Sequence, residues 1–389
     1  MYRRLKDEKY YNKFYFQDSF YNQCMDVDPL SMVQFDQSVA QVKKIIDNPI
    51  FSTCTHMVGV GCGDSNIAAF AIKDAFEYYL PDVEYEGVEA IEMSRHYDYP
   101  SDCSQMAALF ISFSGGVIRT LEAMEQCHRH GVTTIGVTTA VNSDTAKNAD
   151  IFYYTDTPKG DNNAGLRTYY SNVISCIILA AAMAEKRTGK SYIPELRGQV
   201  KKYHDAFFAE IANIDETCFG TAIHFLDKDV LEVMADGHNF WSGRFVQAKI
   251  LELSGDVCSS IDSENYMHVN SLMCSGEKIG ELVILNSNDG NVKNAVSSIN
   301  AMVSRGKREV LLFCDKSPEE LGITENVIYC HMPVPDKEWT FLAPIYDYLP
   351  GAIFAGFRHT TLGEPMFRGG MDFSFFPATY CSPMNVVDL

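Results

Sequence analysis

Five residues in the first half of the chain, Ser112-Phe113-Ser114-Gly115-Gly116, set two hydroxyls and two glycines directly after a short apolar run, Ala107 to Ile111. Hydroxyls donate to an anion, and glycine lets backbone N–H groups close on it. A helical pattern follows, with Val117, Leu121 and Met124 on one face and Gly131 placed to stop it; a second apolar run, Val132 to Val137, comes next. Strand, turn, helix, strand puts the turn at the carboxyl end of a sheet strand and the amino end of a helix. There, backbone N–H groups lack intrahelical partners and the helix dipole is positive. The chemistry this predicts is the holding of a phosphate or another small anion. Serine and glycine also fill βα turns that bind nothing, so one such turn does not decide the matter.

A second turn of the same kind occurs earlier. Gly61-Cys62-Gly63-Asp64-Ser65 lies between an apolar strand pattern, Met57–Val60, and a helical one, Asn66–Tyr79. It is not a dinucleotide fingerprint, because G-x-G-x-x-G read from Gly59 or Gly61 meets Asp64 or Asn66 where the last glycine belongs. No His, Cys and Asp group has metal-ligand spacing, so neither a metal nor another cofactor is expected. His128 and His130 sit at a helix end and are expected to face its negative dipole end.

The elements that must position these turns alternate along the chain. Val83–Gly87 and Ile151–Thr155 read as further strands, and Tyr169–Lys186 as a helix apolar around much of its circumference, hence central. Residues 31–48 have helical spacing with Ser31 as a possible cap, and residues 1–30 read as an aromatic, charged arm. After two helices in 190–227, alternation resumes with Asp229–Ala235. The sequence from Glu281 to Gly290, a helix Val292–Arg305 and a strand Glu309–Cys314 repeat the earlier pattern. In this second copy Asn286-Ser287-Asn288 replaces the serine pair, so it is expected to keep the fold and lose part of the anion site. Trp339–Phe357 reads as a final apolar helix. The expected organisation is an arm and helix (1–48), a first domain (49–190), a helical bridge (191–228), a second domain (229–357) and a tail (358–389) lying against the body. The fold class is α/β, with two tandem doubly wound parallel-sheet domains and helices on both faces.

Bulk properties narrow the function. At 389 residues, 46% hydrophobic and 21% charged, the chain is long enough for two full cores. A net charge of −19 with no basic run reads against nucleic acid and anionic membranes as partners. It also opposes an anionic ligand at long range, so local donors must do the binding. The longest apolar candidate, Val173 to Ala184, is 12 residues and too short to span a bilayer. The opening MYRRLKDEKYYNKFYF has no apolar signal core, and the 12 cysteines form no CxxC pair; both suit reduced thiols in a cytoplasm.

Four segments together resemble the tandem sugar isomerase (SIS) domain family, which includes the isomerase half of glucosamine-6-phosphate synthase and the fructosamine-6-phosphate deglycases. They are GCGDS at 61–65, SFSGGVIRT at 112–120, GLRTYYSN at 165–172, and QAKILELSG at 247–255 followed by SENYMHVN at 263–270. The resemblance implies a flavodoxin-like fold and a sugar phosphate as substrate. By resemblance, Glu252 shuttles a proton between C1 and C2 of the open-chain sugar, and His268, sixteen residues on, helps open the ring. A partly buried carboxylate and an imidazole suit those tasks. Each also has a plainer reading, Glu252 as the polar side of an amphipathic helix and His268 as a structural histidine.

The resemblance gives Gly61, Gly63, Ser65, Ser112, Phe113, Ser114, Gly115 and Thr120 to the phosphate and its neighbouring hydroxyls. Arg167 and Thr168 stand where the family has a small polar residue and then threonine. Arg167 is expected either to grip phosphate or to form an interdomain salt bridge, and Glu264 to hold an amine or hydroxyl. The sequence departs from the family at Val117, which has no hydroxyl where the family has threonine. It also has no lysine after Lys337, where the synthase has one that reaches the sugar carbonyl; Arg368 is the nearest cation and cannot form an imine. The expected activity is isomerisation of a ketose or aldose phosphate, or release of amine from an amino-sugar phosphate, in a homodimer whose partner supplies the histidine. The competing expectation is a sugar-phosphate sensor that does not turn over.

Overall fold

A computed structural model gives the fold and describes residues 19–157, 164–363, 367 and 384–389. These group into two compact units, one made of 29–157, 165–200 and 384–389, the other of 19–28, 164, 201–363 and 367. Helices α1 (Ser19–Ile45) and α2 (Ile50–Thr53) precede the first sheet. The first unit continues β1 (His56–Gly61), α3 (Asp64–Ala71), α4 (Lys73–Tyr79), β2 (Glu84–Glu89), α5 (Ala90–Arg95), β3 (Met106–Ile111), α6 (Ile118–His130), β4 (Thr133–Thr138), α7 (Asp144–Asn148), β5 (Ile151–Tyr154) and α8 (Arg167–Thr188). Its five strands are all parallel in the order β2-β1-β3-β4-β5. Every residue of β3 is buried, as a central parallel strand covered on both faces requires. Below it Val58, Ala108, Phe110, Met124 and Cys127 share one core cluster. Helix α8 is buried without a break from Tyr169 to Ala184 and packs on α3 and α4, which explains its lack of a polar stripe.

Helices α9 (Ile193–Ala209) and α10 (Ile211–His224) follow. The second unit then runs β6 (Val230–Ala235), α11 (Phe240–Leu253), β7 (Val257–Ile261), α12 (Ser263–His268), β8 (Ile279–Leu285), α13 (Val292–Ser304), β9 (Glu309–Cys314), α14 (Pro318–Leu321), β10 (Ile328–His331) and α15 (Leu349–Leu362). Its strands, also all parallel, take the order β7-β6-β8-β9-β10, the first sheet's order repeated. Two doubly wound parallel sheets with helices on both faces are thus what the alternation predicted. In each, strand order reverses beside the first strand, between β1 and β3 and again between β6 and β8. Ligands of open α/β sheets bind at that switch point, outside the carboxyl ends of the strands.

Several local expectations change. Ser31 is not a cap: α1 begins earlier and carries Pro29 within it, and Ser31 is buried with its hydroxyl 2.6 Å from the Tyr170 Oη. The helix expected after Ser65 breaks at Ile72 into α3 and α4. The expected helix 339–357 is a 3-10 stretch, Lys337–Ile345, and then α15; Pro344 and Pro350 interrupt the backbone ladder. His128 bonds Thr134 Oγ1 at 3.0 Å, and His130 stacks on Tyr99 at 4.1 Å between ring centroids, so side-chain partners place them rather than the dipole alone. The end of the tail lies along α6, with the Asn385 N–H on Glu122 Oε1 (2.6 Å) and Gln126 Nε2 on the Val387 carbonyl (2.7 Å). Most of the expected N-terminal arm, and Arg368, lie outside the described residues.

Candidate functional site

The first unit brings the two serine–glycine turns to either side of its switch point. Gly115 has φ +63°, and a Cβ there would stand 2.0 Å from Ser143 Oγ, so only glycine fits. At Gly61 a Cβ would stand 2.5 Å from the Ser65 carbonyl carbon, which lets α3 start hard against the strand end. The long turn is stitched by its own hydroxyls. Ser112 Oγ accepts from the Gly115 N–H at 3.1 Å and Ser114 Oγ from the Gly116 N–H at 3.4 Å, while Thr138 Oγ1 donates to the Phe113 carbonyl at 3.2 Å. Accepting leaves each serine O–H to donate elsewhere. Ser65 and Ser112 are buried, Ser114 and Phe113 exposed. Helix α6 starts at Val117 with no side-chain cap, so its first-turn N–H groups stay available beside the serines.

Thr120, the last hydroxyl of the pattern, turns inward. It is fully buried, with Oγ1 3.7 Å from the Cys62 Sγ, and so links the two turns from beneath; burial pushes the Cys62 thiol pKa up. Arg119, in the first turn of α6, reaches the buried Glu122 at 2.8 Å, where Arg95 joins at 2.6 Å. Arg167 and Thr168 open α8. A Cβ on Gly165 would lie 2.8 Å from Thr168 Oγ1 and 3.3 Å from Asp64 Oδ2, so this first turn meets the β1–α3 turn.

Glu252, Glu264 and His268 belong to the second unit. Glu252, about a third exposed, receives Lys249 Nζ at 2.6 Å one helical turn back on α11. Lys249 is fully buried, with its ammonium 4.8 Å from the Phe245 ring centroid. A buried ammonium needs a counter-charge, and Glu252 supplies it; the pair fixes the carboxylate. Lys249 is the residue the sequence reading missed, although its i, i+3 spacing from Glu252 was visible. Glu264 and His268 pair with each other across one turn of α12, Oε1 to Nε2 2.9 Å, with the imidazole side chain 69% exposed. Asn294 Nδ2 donates to the other Glu264 oxygen at 2.9 Å.

The second switch point is built differently. Asp315 accepts from the Ser287 N–H at 2.9 Å and from its hydroxyl at 2.5 Å. Asn286 Oδ1 takes the Asn288 N–H, and a Cβ on Gly237 would stand 2.0 Å from Asp289 Oδ2. Donors that would serve an anion already serve a carboxylate.

Comparison with known proteins agrees with this layout. The SIS domain family model matches residues 50–183. Mouse and human glutamine–fructose-6-phosphate aminotransferase [isomerizing] 2 are each 24% identical over 245 residues, 60% of this chain. The yeast glutamine–fructose-6-phosphate aminotransferase [isomerizing] is 21% identical over 291 residues, 70% of this chain. The matches span only 32% to 37% of those relatives' own length. The C-terminal domain of glucosamine-fructose-6-phosphate aminotransferase from Francisella tularensis superposes with a TM-score of 0.79 at 18% identity, covering 89% of this chain and 96% of that one. Glucosamine-6-phosphate deaminase from Thermotoga maritima gives 0.65 at 14%, covering 91% and 98%. Residues 50–183 therefore match the SIS domain family, and over 60% to 70% of its length the chain is similar to about a third of the isomerizing glutamine–fructose-6-phosphate aminotransferases.

Proposed function

We propose that this protein binds a sugar phosphate and interconverts its aldose and ketose forms, or, by the same proton transfer followed by attack of water on the resulting imine, releases the amine of an amino-sugar phosphate. The supporting observation is the serine-lined turn at the uncapped start of α6, set at the switch point of an SIS domain. The Ser65, Ser112 and Ser114 hydroxyls and the α6 N–H groups take the phosphate oxygens, with Gly61, Gly63, Phe113 and Gly115 shaping the turns and Arg167 and Thr168 beside them. His268 moves the proton from the anomeric hydroxyl to the ring oxygen as the ring opens. Glu252 takes the proton from the carbon next to the carbonyl, leaving an enediolate, and returns it to the neighbouring carbon after the hydroxyl proton has passed from one oxygen to the other. Lys249 pairs with Glu252 and orients it, and Glu264 steadies His268. No cofactor enters these steps.

Two copies are part of this reading. His268 stands on the surface among exposed Met267, Val269 and Leu272, a face that a second copy would cover. The cysteines of the described residues are all free thiols and none of the described helices can cross a membrane, which suits a reducing cytoplasm. The second reading, a sensor that binds without turnover, draws on Val117, whose position at the head of α6 carries no hydroxyl. Hexose 6-phosphates incubated in deuterated water separate the two. The isomerase exchanges the C2 hydrogen, and Glu252→Gln slows exchange about a thousandfold. Wild-type exchange in that variant overturns Glu252 as the base, and binding without any exchange makes the protein a sensor.

A further inference from the structure

Helix α12 carries His268 but has only six residues, too few to hold itself. It is pinned at both ends. At its start the Ser263 N–H donates to Asp236 Oδ1 at 2.8 Å, and Ser298 Oγ donates to the Ser263 carbonyl at 3.1 Å. Two residues past His268, the Asn270 amide donates to Glu232 and the Asn270 carbonyl accepts from Arg308 Nη2. Arg308 also bonds Glu232 Oε2 at 2.6 Å and Glu281, and its guanidinium lies 5.0 Å from the Tyr266 ring centroid, under the middle of α12. Glu232 and Glu281 are register partners on β6 and β8, and all three ionisable side chains are buried.

A buried cluster of arginine and carboxyls is a poor way to gain stability, because apolar residues of the same volume do as well. What it does supply is direction: the guanidinium fork and the amide fix one geometry for the chain beyond His268. Among the described residues the imidazole itself is held only through Glu264, which is also exposed, so its placement depends on those backbone pins.

We propose that Glu232, Glu281, Arg308 and Asn270 form a positioning assembly that sets the His268 imidazole for sugar-ring opening. This rests on the role given to His268 above. None of the four touches substrate; they act through the backbone at 263–270. Asn270→Ala removes the bond to Glu232 and leaves the carbonyl bond to Arg308. It should lower kcat/KM on a hexose 6-phosphate roughly tenfold, a part of the roughly hundredfold that a full ångström of misplacement can cost. In a His268→Ala background the same change should cost nothing further, because its route to the chemistry is gone. An equal loss in both backgrounds overturns the proposal, as does wild-type kcat/KM in Asn270→Ala. Arg308→Lys, which keeps the charge but loses the fork, should repeat the pattern if Asn270→Ala fails to fold. The His268 ring resonances are an independent readout and should shift or broaden in either variant. If His268→Ala turns over at wild-type rate, the catalytic reading has failed; the resonances then decide positioning alone, and unmoved resonances overturn it.

Discussion

The turn after β3 and the turn after β8 occupy the same place in two sheets of the same order, yet they are tied down by opposite means. In the first, Thr138 gives its hydroxyl to the Phe113 carbonyl, and the serines accept from the glycine N–H groups behind them. In the second, the residue in the equivalent register, Asp315, draws in the Ser287 N–H and hydroxyl, and Asp289 sits against Gly237. A neutral hydroxyl that donates leaves the turn's own donors for a ligand. A carboxylate that accepts consumes them and adds a repelling charge. The residue opposite the turn is thus one difference between the proposed anion receptor and a scaffold of the same shape, and a chain of net charge −19 has no background field to compensate.

The most damaging test transplants that residue. Thr138→Asp should weaken phosphate binding by about a hundredfold or more by calorimetry, since it withdraws charge-assisted bonds and adds like charge. Thr138→Val, which loses the stitch without adding charge, should cost clearly less; equal losses would make the turn's shape, not its charge, the deciding factor. Next in size, Ser112→Ala removes a buried hydroxyl that accepts from Gly115 and, in the proposed site, donates to phosphate, and should cost about tenfold to a hundredfold in Kd. Asn286→Ala, its counterpart, should leave phosphate affinity unchanged. If both alanines act alike, the contrast between the turns is not functional.

How much of this was legible depended on whether a residue's surroundings were local. Strand β3 is buried on both faces and shows as an unbroken apolar run; β8 is equally buried but runs apolar only from Leu282, with Gly280 and Glu281 before it. Strand β7, Val-Cys-Ser-Ser-Ile at a sheet edge with Val257 exposed, shows no run and no alternation, and it was missed. The glycine turns were readable because their chemistry is backbone chemistry. Thr120 was misplaced because the motif gives a spacing, whereas the phase of α6 turns that hydroxyl under the site, toward Cys62. Lys249 escaped notice because a lysine on an amphipathic helix reads as surface; Phe245 and Glu252 are its neighbours on the same helix, but its complete burial is a fact of the fold. The Glu232–Glu281 pairing could not be read at all, since strand register is a tertiary fact.

The units also differ in buried acid. In the second, Glu281 is pushed up to about 8 by burial and the neighbouring Glu232 charge, against the pull of Arg308. Asp347 is likewise pushed up to about 8, by burial and then Asp315, against its bond from Tyr203. The folded state holds these protons more tightly than the unfolded chain, whose groups titrate near 4.5 and 3.8. Stability is therefore greatest below those values, falls as pH rises through the window, and has lost this contribution above about 8. The melting temperature should drop by several degrees between pH 5 and 9. Glu281→Gln, which mimics the protonated form, should recover part of the drop at pH 9 and change little at pH 5. A wild-type profile flat across that range would remove the protonated carboxyls from the second unit.

The smallest effect should come from running the transplant in reverse. Asp315→Thr frees the Ser287 N–H and hydroxyl, and by itself it should raise the second turn's phosphate affinity only a few-fold, leaving it weak. Two obstacles stay in place. Asp289 remains against Gly237, and the Asn291 N–H at the head of α13 is held by Asp289 Oδ1 at 2.9 Å. The first turn has glycine, Gly115, in the register position of Asp289, so no carboxylate competes there for the helix N–H groups. Titration of the Ser287 and Asn291 amide resonances with inorganic phosphate reads the site directly. Asp315→Thr should move the Ser287 amide but not Asn291, and adding Asp289→Gly should move both. If Asp315→Thr alone binds as tightly as the first turn, one residue suffices and the acid beside the helix is irrelevant. If the double change binds nothing, the difference lies in the serine hydroxyls, which would then carry the first site almost alone.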